Sequence, residues 1–328
     1  MEVRNTSAVT EFVLLGFPSL YHVRSLCFSV VLLMYSLSML GNGFILLLVF
    51  VDPRLQTPMY GFLCNLAFLE ICYSSTVVPK LLQTFVSART TISYRCCMAQ
   101  SFFIFCLGMI ELLLLTVMSF DRYIAICHPL RYPVIMTKAL CFQLAIGSWL
   151  GGFLDLLFQG ITVWTLPFCD SNVIDHYFCD IGPVLSLSCS DTHLLELVGL
   201  LLGSFLVLIT LLLIVVSYIY IISTILRIPS ASGRQKAFST CTSHLTVVSI
   251  TYGAIMVMYI RPNARSSFHF TKAVALLNTL IAPTLNPFIY TIRNAEVKQA
   301  FRRAVYTKGI CFQEKLFSGS NASREAHT

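Results

Sequence analysis

"SFFIFCLGMIELLLLTVMSFDRYIAIC", residues 101–127, decides the class of this chain. Between Gln100 and Asp121 the only charged residue is Glu111, and the run then ends on an adjacent acid and base, Asp121 and Arg122. About twenty apolar residues in a helix cross the roughly 30 Å hydrocarbon core of a bilayer, so charges placed there mark a membrane boundary. The whole chain has 328 residues, 56% hydrophobic and only 11% charged. Soluble domains carry about 25% charged residues, so the composition excludes an ordinary cytosolic globule.

Six further runs of this kind flank the first. They cover residues 25–51, 58–86, 139–166, 197–226, 237–260 and 272–292, with the third span at 97–126. Only helices and closed barrels satisfy their backbone groups in lipid, and no strand alternation is present. The expectation is an all-α, seven-transmembrane helix bundle. The first 24 residues lack the long apolar core and small-residue cleavage site of a signal peptide, because Arg4 and Glu11 flank only the short patch at 12–17. Three regions follow: an extracellular N-terminus (1–24), the seven-span unit (25–292) and a cytoplasmic tail (293–328).

Orientation is read from Lys and Arg in the loops. With the N-terminus outside, fourteen of these residues lie on the cytoplasmic side and eight outside. The outer loop at 166–196 has no Lys or Arg but carries Asp170, Asp175, Asp180, Asp191 and Glu196. In the tail, "RNAEVKQAFRRAV" (293–305) sets Val297, Phe301, Ala304 and Val305 at helical spacing among basic residues. That pattern suits a short amphipathic helix on the inner leaflet, with a solvated basic tail as the alternative. Asn5-Thr6-Ser7 is a glycosylation acceptor on the outer side. Cys96, Cys97, Cys169, Cys179 and Cys189 all fall at the outer, oxidising face. Several pairings among them are open on spacing alone.

Ionisable groups inside a membrane are costly and point to function. At ~1.5 Å of rise per residue, Glu70 lies roughly 18 Å from the cytoplasmic end of its span, and Glu111 and Asn42 roughly 15 Å from theirs. Asn286 stands slightly nearer the cytosol. The group reads as a small-cation or proton site, or as a hydrogen-bonded packing cluster with one neutral Glu. In the outer half, Phe105, Gly108 and Met109 of the third span face Leu202, Gly203 and Leu206 of the fifth. Tyr252, Ile255 and Tyr259 of the sixth and Thr279 of the seventh complete the ring. Glycines opposite bulky apolar side chains leave room for a small greasy cavity with one or two hydroxyls. No acid in the outer half of the third span would anchor an amine, so the ligand is expected to be neutral and apolar. The histidines lack metal-ligand spacing and no catalytic constellation stands out, which argues against an enzyme. A transporter or channel would show matching halves with interrupted helices, and none are found.

Asp121-Arg122-Tyr123 at the inner end of the third span resembles the signature of rhodopsin-like (class A) G-protein-coupled receptors, and "NPFIY" (286–290) resembles their second signature. "PMYGFLCNLAFLE", "MSFDRYIAICHPLRYP", "VSYIYI", "KAFSTCTSHL" and "PTLNPFIYTIRNAEVK" narrow the resemblance to the olfactory (odorant) receptors, tetrapod-type, over about residues 10–304. The resemblance implies an odorant receptor of the plasma membrane, in sensory cilia, binding a small volatile and activating a stimulatory, olfactory-type heterotrimeric G protein that raises cyclic AMP.

Residue by residue, the resemblance implies that Cys97 pairs with Cys179 and Cys169 with Cys189, with Cys97–Cys189 the alternative. Glu70 and Glu111 would form a sodium-linked acidic pair. Met109, Leu202, Tyr252, Ile255 and Tyr259 would line the odorant cavity. Asp121, Arg122, Tyr123, Tyr218, Asn286, Pro287 and Tyr290 would carry activation, Arg122 moving toward Tyr218. Three positions depart from the family's pattern: Glu70 for its usual Asp, Gln56 for His and Phe120 for Tyr. The longer Glu70 side chain puts sodium binding in doubt.

Overall fold

The computed structural model describes residues 9–168, 171–259, 268–293, 297, 299 and 300. A strand, β1 (Glu11–Leu14), precedes α1 (Arg24–Val51) and α2 (Pro58–Val86). Next come β2 (Thr90–Ser93) and α3 (Tyr94–Cys127), the latter capped by Ser93, whose hydroxyl accepts from the Cys96 N–H. A single turn, α4 (Tyr132–Ile135), leads to α5 (Lys138–Trp164), capped in the same way by Thr137. The outer loop contributes β3 (Val173–Ile174) and α6 (Ile181–Leu185). α7 (His193–Leu226) and α8 (Ala231–Tyr259) follow, then α9 (Phe268–Leu276), a π-helical turn at Leu277–Ile281, and α10 (Ala282–Arg293).

Among the described residues seven helical stretches are long and apolar enough to cross a membrane, the last combining α9 and α10. α3, α7 and α8 each start about a turn or more before the expected residue, because a helix need not stop where lipid ends. His193, Glu196 and Arg234 extend them beyond the apolar run. α3 is the central post, packing on α2, α5, α7 and α8. Its inner half packs into one core with Leu66, Ile214 and Val247, its outer half into another with Val77, Leu81 and Leu280. Close approach of α5 requires glycine: a Cβ on Gly152 would stand 2.5 Å from Ile110 Cγ1 and 2.9 Å from Ile110 N.

Two prolines shape the seventh span. Pro287 has no N–H for the Pro283 carbonyl, which an unbroken helix would bond one turn earlier. That carbonyl instead accepts from Asn42 Nδ2 and Ser38 Oγ of α1, both at 3.1 Å. Gly41 makes the contact reachable, since a Cβ there would meet Pro287 Cβ at 2.9 Å.

The sequence predicts no strands, yet three form among the described residues. β1 pairs antiparallel with β2 (Phe12 opposite Ile92) and parallel with β3 (Val13 opposite Val173), giving the order β2-β1-β3. The strands are too short to register as alternation, yet Phe12 and Leu14 point into a separate lid core with Ile92, Phe168, Ile174 and Val184. The surface helix expected at 293–305 falls largely outside the described residues, although Val297 and Ala300 are buried against the inner core.

Candidate functional site

A cavity of about 390 Å³ opens between α3, α5 and α7 beneath the outer loop. Phe105 and Met109 of α3, and Leu156 and Val163 of α5, supply apolar walls. Gly199 and Gly203 of α7 make the space, and Ile181 and Leu185 of α6 roof it. Ser101 and Gln159 add polar groups.

Of the expected pocket residues, Phe105, Met109 and Gly203 line this cavity. A Cβ on Gly108 would meet nothing within 4 Å, so this residue borders open space without lining that cavity. Leu202 is 41% exposed and turns outward, and Leu206 is half-buried on the same helix. Tyr252 is buried in the inner core, with Ile255 packed against it. The Tyr259 side chain lies outside the described residues. Thr279 is held by the lid: its hydroxyl donates to the Ala275 carbonyl and accepts from Tyr177 OH at 3.0 Å. The helical rotations that decide these placements are not visible in a list of spans.

The lid is pinned on two sides. Cys97 at the top of α3 is disulfide-bonded to Cys179. Cys189 is also oxidised, and because Cys97 and Cys179 hold each other, the Cys97–Cys189 alternative is excluded. Cys169 and Asn5 lie outside the described residues. On the opposite side Lys272, fully buried, donates to Asp175 Oδ1 at 2.6 Å and to the Gly16 carbonyl at 2.9 Å. Between these pins His176, Tyr177 and Phe178 plunge into the bundle, all nearly inaccessible. Tyr177 stacks on Phe17. Burial, aided by the Lys272 charge, pushes His176 down to about 3. Burial likewise raises Asp180 to about 6, opposed only by the Ile181 N–H.

The four mid-membrane polar residues separate into three contacts. Asn286 Nδ2 donates to Glu70, Thr251 Oγ1 donates to Glu111 Oε1 at 2.9 Å, and Asn42 serves the seventh-span carbonyl. Asn42 is therefore not a partner of the carboxylates. Asn286 Oδ1 and Tyr290 OH are buried without a hydrogen-bond partner among the described residues.

At the cytoplasmic end Asp121 feels the charge of its neighbour Arg122 and also takes a hydrogen bond from α4. Tyr132 OH donates to Asp121 Oδ1 at 2.8 Å, and Arg122, half-buried, makes no ion pair or hydrogen bond among the described residues. Tyr123 OH lies 3.2 Å from His128 Nε2. Tyr218 OH bonds His244 Nδ1 at 2.8 Å, and His244 Nε2 bonds the Leu115 carbonyl at 3.0 Å. A carbonyl only accepts, so Nε2 carries the proton and Nδ1 accepts from Tyr218. One neutral imidazole thus ties α7 and α8 to α3. Sequence alone ranked His244 with the scattered histidines. Its one signal is a polar ring inside an apolar span.

An olfactory receptor family model matches residues 31–308. The chain belongs to the olfactory receptor family. Olfactory receptor 6X1 of Homo sapiens is 55% identical over 303 residues, covering 92% of this chain and 97% of that protein. Olfactory receptor 6C3 (50%, the same coverage) and olfactory receptor 6C70 (49%, covering 97% of this chain and all of that protein), both from Homo sapiens, are similarly related. This olfactory receptor is a seven-helix G-protein-coupled receptor and not an enzyme. Odorants and G proteins are the partner classes that membership implies.

Proposed function

We propose that this olfactory receptor binds a small, mostly apolar volatile in the α3–α5–α7 cavity and activates a stimulatory, olfactory-type G protein, raising cyclic AMP. The N-terminus is outside, the C-terminus is cytoplasmic, and the sensory cilium is the site of action. The observation that carries the reading is a cavity walled by Phe105, Met109, Leu156 and Val163 under a disulfide-pinned roof, in the range of size typical of small-molecule sites.

Ligand contact with α6, α3 and α7 biases the packing of those elements. At the far end, the Tyr218–His244 bond holds α7 to α8, and release of Tyr218 frees it to approach Arg122 as the G-protein cleft opens. Glu70 and Glu111 lack a cationic side-chain partner among the described residues. Oxygen donors suit a hard cation, and with the orphaned Asn286 Oδ1 they would hold Na+, which would supply the missing counter-charge.

Screening volatiles in cells reporting cyclic AMP tests the proposal. Agonist responses should vanish in Arg122→Ala and in Gly203→Phe, which fills the cavity, at unchanged surface expression. His244→Leu should raise basal signal about fivefold, since one hydrogen bond is worth about 1 kcal/mol. Silence of the wild-type receptor to every volatile, or full response in Gly203→Phe, overturns the assignment.

A further inference from the structure

The polar groups of the cavity are not equivalent. Among the described residues four polar side chains line it: Ser101, Gln159, Ser186 and Glu196. Two are already satisfied. Ser186 donates to the Pro183 carbonyl at 2.8 Å, and Glu196, exposed at the rim, accepts from Thr192 at 2.6 Å. Ser101 and Gln159 have no hydrogen-bond partner among the described residues.

Ser101 is unusual on these grounds. Many hydroxyls inside the spans, among them Thr76, Ser148, Thr284 and Thr116 of the same helix, donate to a carbonyl one turn earlier. Ser101 is only 3% exposed and makes no such bond, so its hydroxyl stands at the cavity wall with its hydrogen unspent. A ligand that accepts this hydrogen satisfies a donor to which the fold supplies no partner among the described residues. Gln159 is placed by its neighbour: its Oε1 would stand 2.8 Å from a Cβ on Gly199, so glycine on α7 gives the amide room to lean across from α5.

We propose that this cavity is a hydroxyl-recognition site, taking a neutral alcohol on a compact apolar body, with Ser101 and Gln159 as its specificity residues. The inference rests on the odorant-site reading above and adds the chemistry of the head group. A hydroxyl both donates and accepts. It can give its hydrogen to Gln159 Oε1 while receiving one from Ser101 Oγ or Gln159 Nε2. A ketone or ester only accepts and leaves Gln159 Oε1 unpaired. A hydrocarbon leaves both residues unpaired. Among the described residues no Lys, Arg or His lines the cavity, so a carboxylate finds no counter-charge there, and Glu196 at the rim repels it.

The test uses the full-length receptor in cyclic AMP reporter cells at matched surface expression, with head-group series on fixed skeletons. Octanol, octanal, octanoate, octylamine and octane form one series. Cyclohexanol, cyclohexanone, cyclohexanecarboxylate, cyclohexylamine and cyclohexane form another, and benzyl alcohol with its counterparts a third. The alcohol of at least one skeleton should act at a concentration tenfold or more below its carbonyl partner, with carboxylates and hydrocarbons silent. Gln159→Leu should collapse the alcohol-to-carbonyl ratio toward one, and Ser101→Ala should weaken the alcohol about tenfold. Ser101→Thr, keeping the hydroxyl, should retain the preference.

A receptor that prefers amines, acids or carbonyls, that ignores every alcohol while answering other volatiles, or whose alcohol preference survives both variants, overturns the inference and leaves the odorant-site reading standing. Loss of that broader reading shows differently, as full responses in Gly203→Phe.

Discussion

His176 and Asp180 stand four residues apart on the lid, and burial moves them in opposite directions. The packed loop refuses a proton on His176 down to about 3, whereas an opened loop takes it near the ordinary imidazole value. Acidification below about pH 6.5 therefore favours opening through His176. The packed loop keeps a proton on Asp180 up to about 6, whereas the opened loop releases it until the ordinary carboxylate range. Acidification through that window favours closure through Asp180. Each contributes up to about 1.4 kcal/mol per pH unit inside its window, so the lid of the natural receptor should change little between pH 7 and 5. Asp180→Asn should leave the lid loosening on acidification, and His176→Leu should leave it tightening. Hydrogen exchange of residues 171–192, corrected for intrinsic rates, reads both, and parallel behaviour of the two variants would refute the opposed-pair account. Neither shift is legible in the sequence, where both residues belong to a plain acidic loop.

At the scale of elements, α5 and the seventh span depend on close backbone approach. Membrane helices associate through small residues that let backbones meet, and Gly152 does this against Ile110 of α3. Gly152→Ala presses a methyl into backbone as well as side chain, so it should cost about 1–3 kcal/mol by overpacking. Gly147→Ala, where a Cβ would meet nothing within 4 Å, should be neutral. Thermal unfolding of purified receptor in detergent should separate the two, and equal melting temperatures would show that α3 and α5 can part without cost. The span boundaries were legible to within about a turn or two because hydropathy is local. The sheet was not, since β1, β2 and β3 lie far apart in the chain and each is too short to show a pattern alone.

Across the whole molecule the lid joins both halves of the bundle. Cys97–Cys179 fastens it to α3, Lys272–Asp175 fastens it to α9, and Tyr177 reaches the π-helical turn through Thr279. The disulfide closes a sequence separation of 82 residues, and a link of that length stabilises by about 4–5 kcal/mol in the chain-entropy account. Cys97→Ser and Cys179→Ser should each reduce surface receptor severely, and the double variant should be no worse than either single one. Staining of an N-terminal tag on intact cells checks this. A double variant clearly worse than both would assign the cysteines separate roles.

Hydropathy, loop charge and the short motifs around Arg122, His244 and Pro287 determined the seven spans, the expected orientation and the family. These are local properties that every residue reports without knowing its neighbours in space. The tertiary structure alone decided which face of each helix turns inward: why Leu202 faces outward while Gly203 lines a cavity, why Asn42 serves a proline-freed carbonyl rather than Glu70, and why Tyr132 reaches Asp121. A helix turns about 100° per residue, so a rotation smaller than one residue's step exchanges ligand wall for lipid contact, and no span assignment resolves that.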